Sequence, residues 1–222
     1  MNIEVKLEHV TPLHIIVDAI RQCYESGDNS DSGIKDDGKW VLGDQDHKLV
    51  HRIIQSGHTS TLEHCSFNFK IKGISRLVLQ ELARHRMVSL SVKSTRYTLK
   101  ELKKADSFII YSVNVDPVYF WDDAAKYINL TGIIDIDIAS INALENLRLL
   151  IESGEYTNDQ VKYSLPECYR LDLYLTINTR SLRNFLSLRH NKRAHFEIQE
   201  LAQKIVAQIP KQYLFLFEDC IE

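Results

Sequence analysis

The sequence predicts an α+β fold, one domain over residues 1–222 in which helices pack on a small sheet. Three observations carry this. Apolar residues recur at helical spacing in several separated stretches. The stretches 64–73 and 169–178 alternate at the two-residue period of a strand. No internal repeat, low-complexity tract or linker interrupts them. The 222 residues are 44% hydrophobic and 26% charged, ordinary for a chain that builds its own core. A net charge of −3 argues against bulk capture of nucleic acid. No apolar run reaches the roughly 18 residues needed to cross a bilayer, and MNIEVKLEHV lacks the charged leader and apolar core of a signal peptide. Cys23, Cys65, Cys168 and Cys220 are far apart and form no CxxC pair, which fits reduced thiols and a cytoplasmic address.

Taken in order, Thr11 to Tyr24 reads as a helix, with Leu13, Ile16, Val17 and Ile20 on one face and Thr11-Pro12 as cap and first turn. Residues 26–46, rich in Gly, Asp and Ser, read as a mobile surface loop whose length suggests a lid or ligand-facing role. A short helix over Asp46–Gln55 ends at Gly57. HCSFNFKIKG sets Cys65, Phe67, Phe69 and Ile71 against Ser66, Asn68, Lys70 and Lys72, a half-buried strand. From Gly73 the period becomes helical through Ile74, Leu77, Val78 and Leu82, and that helix ends in Arg84-His85-Arg86. Strands are predicted at Ser94–Leu99 and Ser107–Tyr111, then two or three helices between Asp116 and Gly154, the clearest over Ile138–Glu152. Tyr169–Asn178 is a strand, a helix begins at Thr179, and His195–Ile209 is a strongly amphipathic helix.

Against this background RHRMVSLSVKSTRY, residues 84–97, is anomalous. Cations in a last helical turn interact favourably with exposed carbonyls, worth about 0.3–1 kcal/mol each, and that accounts for one or two of them. It leaves Lys93 and Arg96, with Ser89, Ser91, Ser94 and Thr95 between. Charged forks interleaved with hydroxyl donors suit a phosphate. A second anomaly is NTRSLRNFLSLRHNKR. Leu182, Phe185 and Leu186 form an apolar stripe whose next position is Arg189. A cation there needs an anion or a polarised oxygen, either a ligand's or one of the protein's own carboxylates. Arg180 and Asn184 stand one turn apart on a neighbouring face, after Asn178, and could hydrogen-bond a heterocycle or a nucleotide.

His47 and His51 are spaced i, i+4, with His58 and His64 following, but no complete ligand set is present and no metal is expected. Neither GxGxxG nor GxxxxGK[ST] occurs, so any nucleotide would be held by side-chain cations. No cysteine lies in the cationic stretch, and Ser94 has no evident activating base.

RHRMVSLSVKS, an RHR followed by seven residues and a serine, resembles the signature of the flavin-dependent thymidylate synthases. The similarity extends upstream through GHTSTLEHCSFNFKIKG and downstream through INTRSLRNFLSLR and EIQELA, from about Gln55 to Ala202. The resemblance implies a single domain with a small, mainly antiparallel sheet flanked by helices, acting as a homotetramer with sites shared between subunits. It implies conversion of dUMP to dTMP, with 5,10-methylenetetrahydrofolate as carbon donor and NADPH-reduced FAD as hydride source, and no nucleic-acid or membrane partner. By the same resemblance Arg84, His85 and Arg86 would contact FAD, as would Ser60, Asn178, Thr179, Arg180 and Asn184, with His58 near flavin and folate. Lys93, Ser94, Thr95 and Arg96 would cradle dUMP, which Arg84 also reaches, and Arg189 matches the arginine that activates uracil.

Departures accompany the match. Ser91 and Val92 replace an Asn and a Glu common in the family, leaving Val92 only backbone contacts to offer. Glu81 replaces a glutamine near the nucleotide. Lys162 replaces a phosphate-gripping arginine, keeping the charge without the bidentate fork. Two rival readings stand beside this one: nucleotide or RNA binding by the same cationic cluster without catalysis, and a metal-dependent nucleotide hydrolase using His47, His51 and acidic residues of the 26–46 loop.

Overall fold

The computed structural model describes residues 2–36 and 38–221. Of the predicted 26–46 loop, Asp37 therefore lies outside the described residues. The chain opens with a strand that the sequence reading passed over, β1 (Glu4–Val10), in which half-buried Val5 and Leu7 alternate with exposed Glu4, Lys6 and Glu8. Helix α1 (His14–Cys23) starts three residues later than predicted. Thr11 does not cap it. Its hydroxyl accepts from the Ser66 N–H at 3.0 Å, and its own N–H donates to the Ser66 carbonyl at 2.9 Å. The predicted face is correct, with Leu13, Ile16, Val17 and Ile20 buried.

The segment expected to be a mobile loop is instead tied down. It carries a two-residue hairpin, β2 (Gly33–Ile34) with β3 (Trp40–Val41), and closes on helix α2 (Asp44–Ser56). Buried Asp46 accepts from Arg21 Nε at 2.8 Å, from Ser30 Oγ and Ser32 Oγ at 2.6 Å each, and from the Ser32 N–H at 3.2 Å. Gly57, at φ 77, ends α2 in the left-handed conformation that glycine adopts without penalty.

A short 3-10 segment (Thr59–His64) leads into β4 (Ser66–Ser75), where Phe67, Phe69, Ile71 and Ile74 are buried. The strand runs two residues past the predicted switch at Gly73. Ser75 then caps α3 (Arg76–Ala83) by accepting from the Val78 N–H at 3.2 Å, so Ile74 belongs to the strand.

The predicted strand at 94–99 is the clearest correction. The period-two alternation lies earlier, in β5 (Val88–Val92), where half-buried Val88, Leu90 and Val92 flank exposed Ser89 and Ser91. Residues 95–98 are a helical turn, α4 (Thr95–Thr98), continuing as a 3-10 segment Leu99–Lys104. Leu99 and Leu102, both fully buried, are spaced as a helical turn demands. A second hairpin, β6 (Ile109–Ser112) with β7 (Val115–Tyr119), occupies ground partly predicted as helical.

Then come α5 (Trp121–Ala124) and the long α6 (Ile134–Ser153), which begins four residues before the expected start. There Asp137 accepts from the Thr131 and Gly132 N–H groups at 2.7 and 2.8 Å. A short α7 (Asn158–Val161) carries a capping box of Thr157 and Gln160. Strand β8 (Arg170–Asn178) and helices α8 (Thr179–Arg189) and α9 (Phe196–Gln208) follow as predicted, with a terminal turn α10 (Glu218–Ile221).

The main sheet has the order β1-β4-β8-β5, so two of the four strands predicted from the sequence, those at 64–73 and 169–178, are its central pair. By packing, the chain forms two compact units. The first comprises Met1–Glu4, Ile71–Arg84 and Ser91–Leu173, with a core built around Leu99, Phe108, Ile141, Leu144 and Leu147. The second comprises Val5–Lys70, His85–Leu90 and Tyr174–Glu222. At its centre Phe67 meets Phe69, Tyr213 and Phe217 with ring centroids 5.8–6.0 Å apart.

Candidate active site

The residues singled out from the sequence divide between the two units. His58, Ser60, His85, Arg86, Asn178, Thr179, Arg180, Asn184 and Arg189 belong to the second, and Glu81, Arg84, Val92, Lys93, Ser94, Thr95, Arg96 and Lys162 to the first.

In the second unit the organising residue is His85. It is buried to 7% exposure and stands edge-on to Phe185, ring centroids 5.1 Å apart. Arg189, one turn further along α8, donates from Nε to His85 Nε2 at 3.1 Å. The stripe-breaking arginine is therefore half-buried and meets an imidazole. An accepting Nε2 places the ring proton of a neutral imidazole on Nδ1. Arg84 and Arg86 on either side are exposed, and Met87 adopts φ 61, the left-handed region that a side chain enters at a cost. That turn separates one buried histidine from two outward cations within three residues.

The 3-10 segment after His58 leaves His58 and Ser60 exposed. Glu63 in the same segment accepts from Arg180 Nη1 at 2.6 Å, a partner that spacing alone did not reveal. Asn178 caps α8, its side-chain Oδ1 accepting from the Ser181 N–H at 2.8 Å. Thr179 is fully buried, and its hydroxyl and N–H both donate to the Cys65 carbonyl, at 3.0 and 2.8 Å. Its side chain thus anchors the start of α8, while Arg180 and Asn184 are exposed one turn apart.

In the first unit, Glu81 is half-buried on α3 and Val92 half-buried at the end of β5. Lys93 is fixed by its backbone, whose N–H donates to the Asp172 carbonyl at 2.9 Å, and by its ammonium, 3.0 Å from Glu101. Ser94 is exposed and Thr95 half-buried. Arg96 and Lys162, 66 positions apart in sequence, both meet Asp159: Arg96 Nε lies 3.3 Å from Oδ2 and Lys162 Nζ donates to Oδ1 at 2.9 Å. The hydrogen bond from Lys162, followed by the charge of Arg96, holds the Asp159 carboxyl below its usual range despite some desolvation.

The four cysteines are unpaired with one another. Burial pushes the Cys65 thiol up, and burial likewise raises Cys220 to about 11. Among the described residues, no group of three or more His, Cys, Asp or Glu side chains converges as a metal site would require.

The fold is an α+β frame on which the cations singled out from the sequence, Arg84, Arg86, Arg96 and Arg180 among them, are exposed. The profile of the family described as thymidylate synthase complementing protein matches residues 6–213, and the chain belongs to that family. The flavin-dependent thymidylate synthase of Helicobacter pylori (strain ATCC 700392 / 26695) is 42% identical over 221 residues, covering 99% of each chain. The enzyme of the same name from Campylobacter jejuni (strain RM1221) is 43% identical over 212 residues, 95% of this chain and 94% of its own. A crystal structure of Helicobacter pylori thymidylate synthase X with FAD and dUMP superposes with a TM-score of 0.85 at 41% identity, covering both chains completely.

Proposed function

We propose that this chain is a flavin-dependent thymidylate synthase that converts dUMP to dTMP, with 5,10-methylenetetrahydrofolate as carbon donor and NADPH as reductant of its FAD. The supporting observation is the likeness, over the whole chain, to a structure that holds FAD and dUMP. The donor chemistry fits. Exposed Arg86 and Arg180, with the neutral donors of Ser60 and Asn184, suit the two charges of a dinucleotide pyrophosphate. FAD, when bound, relays the hydride of NADPH. In the net reaction the folate methylene joins uracil C5 as its bonds to the two folate nitrogens break, and the hydride completes the methyl group. The nitrogens take up two protons, one balanced by the C5 proton that leaves and one drawn from solvent; tetrahydrofolate and NADP+ depart.

The chain's own part is electrostatic. Uracil C5 is a poor nucleophile until negative charge develops over N3 and O4. A guanidinium held in place before the reaction stabilises that charge without reorganising. Arg189, oriented through Nε by His85, takes this role. No thiol is assigned one: at neutral pH the raised Cys65 and Cys220 are protonated and weakly nucleophilic. Lys93, Ser94, Thr95, Arg96 and Lys162 hold the nucleotide, with Arg84 and Glu81 beside it, and Val92 offers only its backbone. His58, His85, Asn178 and Thr179 complete the flavin side, Thr179 by placing α8. We assign the chain to the cytoplasm as one functional domain and a homotetramer. No helix among the described residues is long and apolar enough to cross a membrane.

The test is the visible spectrum of the purified protein, followed by an assay of dTMP formation. A flavin spectrum and turnover that requires dUMP, methylenetetrahydrofolate and NADPH together support the reading. A colourless protein that binds nucleotide or RNA without turnover, or activity abolished by chelators and indifferent to folate, overturns it.

A further inference from the structure

Two cations that the proposed function assigns to the nucleotide phosphate, Arg96 and Lys162, come from different elements and are brought together by one side chain. Asp159 sits on the four-residue α7 and accepts Lys162 Nζ at Oδ1, 2.9 Å away, while its other oxygen lies 3.3 Å from Arg96 Nε. The neighbouring Asn158 donates from Nδ2 to the Arg96 carbonyl at 2.7 Å, so α7 grips both the side chain and the backbone of residue 96. The Thr157–Gln160 capping box fixes α7 itself, with the Thr157 N–H donating to Gln160 Oε1 at 2.9 Å.

All three charged groups are about half exposed, with side-chain exposures of 64, 47 and 42% for Arg96, Asp159 and Lys162. Ion pairs so exposed contribute little to folding stability. A tight bridge at that exposure, between two cations facing solvent, is better explained by what it positions. The geometry leaves donors over. Asp159 takes one contact from a guanidinium with five N–H groups and one from an ammonium with three. An ammonium on a four-carbon stem has no fork of its own to fix its direction, and Lys162 stands where the family resemblance expects an arginine.

We infer that Asp159 is a positioning residue for the nucleotide phosphate, holding Arg96 and Lys162 at a shared spacing so that their remaining donors converge on one phosphoryl group. This rests on the reading of the chain as an enzyme acting on dUMP. It assigns Asp159 an effect on phosphate binding and none on uracil activation.

The experiment measures dissociation constants and steady-state kinetics with dUMP, and binding of deoxyuridine, which lacks the phosphate, on wild type, Asp159→Asn, Asp159→Glu and Asp159→Asn/Lys162→Arg. Asp159→Asn should weaken dUMP binding about tenfold, raising KM with kcat at saturation within about twofold, and leave deoxyuridine binding unchanged. Asp159→Glu should recover part of the loss. The double variant should recover part as well, because a planar fork orients itself against phosphate. Equal weakening for dUMP and deoxyuridine, a fall in kcat alone, or unaltered dUMP binding in Asp159→Asn overturns the inference while leaving the enzymatic reading intact. A wild-type protein that neither binds dUMP nor forms dTMP overturns both.

Discussion

Arg189 donates from Nε to Nε2 of His85, 3.1 Å away, joining the last turn of α8 to the centre of the RHR triplet. The bond explains why an arginine can continue the Leu182–Phe185–Leu186 stripe: Phe185 packs on the same imidazole, so hydrophobic and polar contacts fix one ring. Arg189→Ala should therefore leave flavin bound and NADPH-dependent flavin reduction running, while dTMP formation falls at least about a hundredfold. Arg189→Lys should recover only part, since an ammonium lacks the planar fork. Following both half-reactions in one folded variant decides the matter. If both fall together, or neither falls, Arg189 is a structural partner of His85.

Asp46 is the polar keystone of the second unit. Burial by itself would raise its carboxyl; the hydrogen bonds of Ser30 and Ser32 and the contact with Arg21 overcome that and hold it below the usual range. A depressed folded-state value means stability that is fully present above the unfolded value near pH 4 and lost as pH falls through the folded one. Asp46→Asn should cost about 3 kcal/mol at pH 7, because Arg21 keeps its charge at 11% exposure without its partner. In denaturant titrations the gap between wild type and variant should narrow below about pH 4. A gap that is constant with pH would show that shape, not charge, is what Asp46 contributes.

Gly73 takes φ +75 within β4, and a Cβ there would lie 2.6 Å from the Asn2 carbonyl oxygen and against the Arg170 guanidinium. Gly73→Ala should destabilise by about 2 kcal/mol or more, from left-handed strain and displaced neighbours. Gly27→Ala, with nothing within 4 Å, serves as the control and should stay within about 0.5 kcal/mol. Equal denaturation midpoints for the two variants would contradict this.

Replacing Cys23, Cys65, Cys168 and Cys220 by Ala or Ser should preserve turnover, with Cys65 changed to Ala because it is fully buried. Alkylation of the native protein should reach exposed Cys23 first. Loss of dTMP formation in a folded, flavin-loaded single variant would restore a thiol to the chemistry.

Light scattering should give a mass about four times 25.7 kDa, following the assembly proposed for the family. Val113, Val115 and Val118 of the β6–β7 hairpin and Ile133 and Ile134 at the entry to α6 are exposed apolar side chains, whose burial would favour association. A monodisperse monomer that makes dTMP would refute the shared-site proposal.

The central strands β4 and β8, the helices that follow them, and the stop at Gly57 were legible in the sequence because each is set by local periodicity or backbone conformation. The ends of elements were less so. Thr11 looked like a cap but pairs with Ser66, and Ile74 looked helical but closes a strand. In both cases a long-range contact outweighed a local preference.

What the sequence determined by itself is the chemistry available: the RHR triplet, the hydroxyls and cations of 93–96, and an arginine at the end of an apolar stripe. Tertiary structure decided how those groups are paired. That His85 meets Arg189 and that Glu63 meets Arg180 are facts about groups 104 and 117 positions apart. Asp159 likewise joins Lys162, on its own turn, to Arg96 in a distant segment. Residue types and local spacing carry charge and period. Hydrogen bonds act only across about 3 Å, so which distant partners come within reach is settled by how the strands and helices pack.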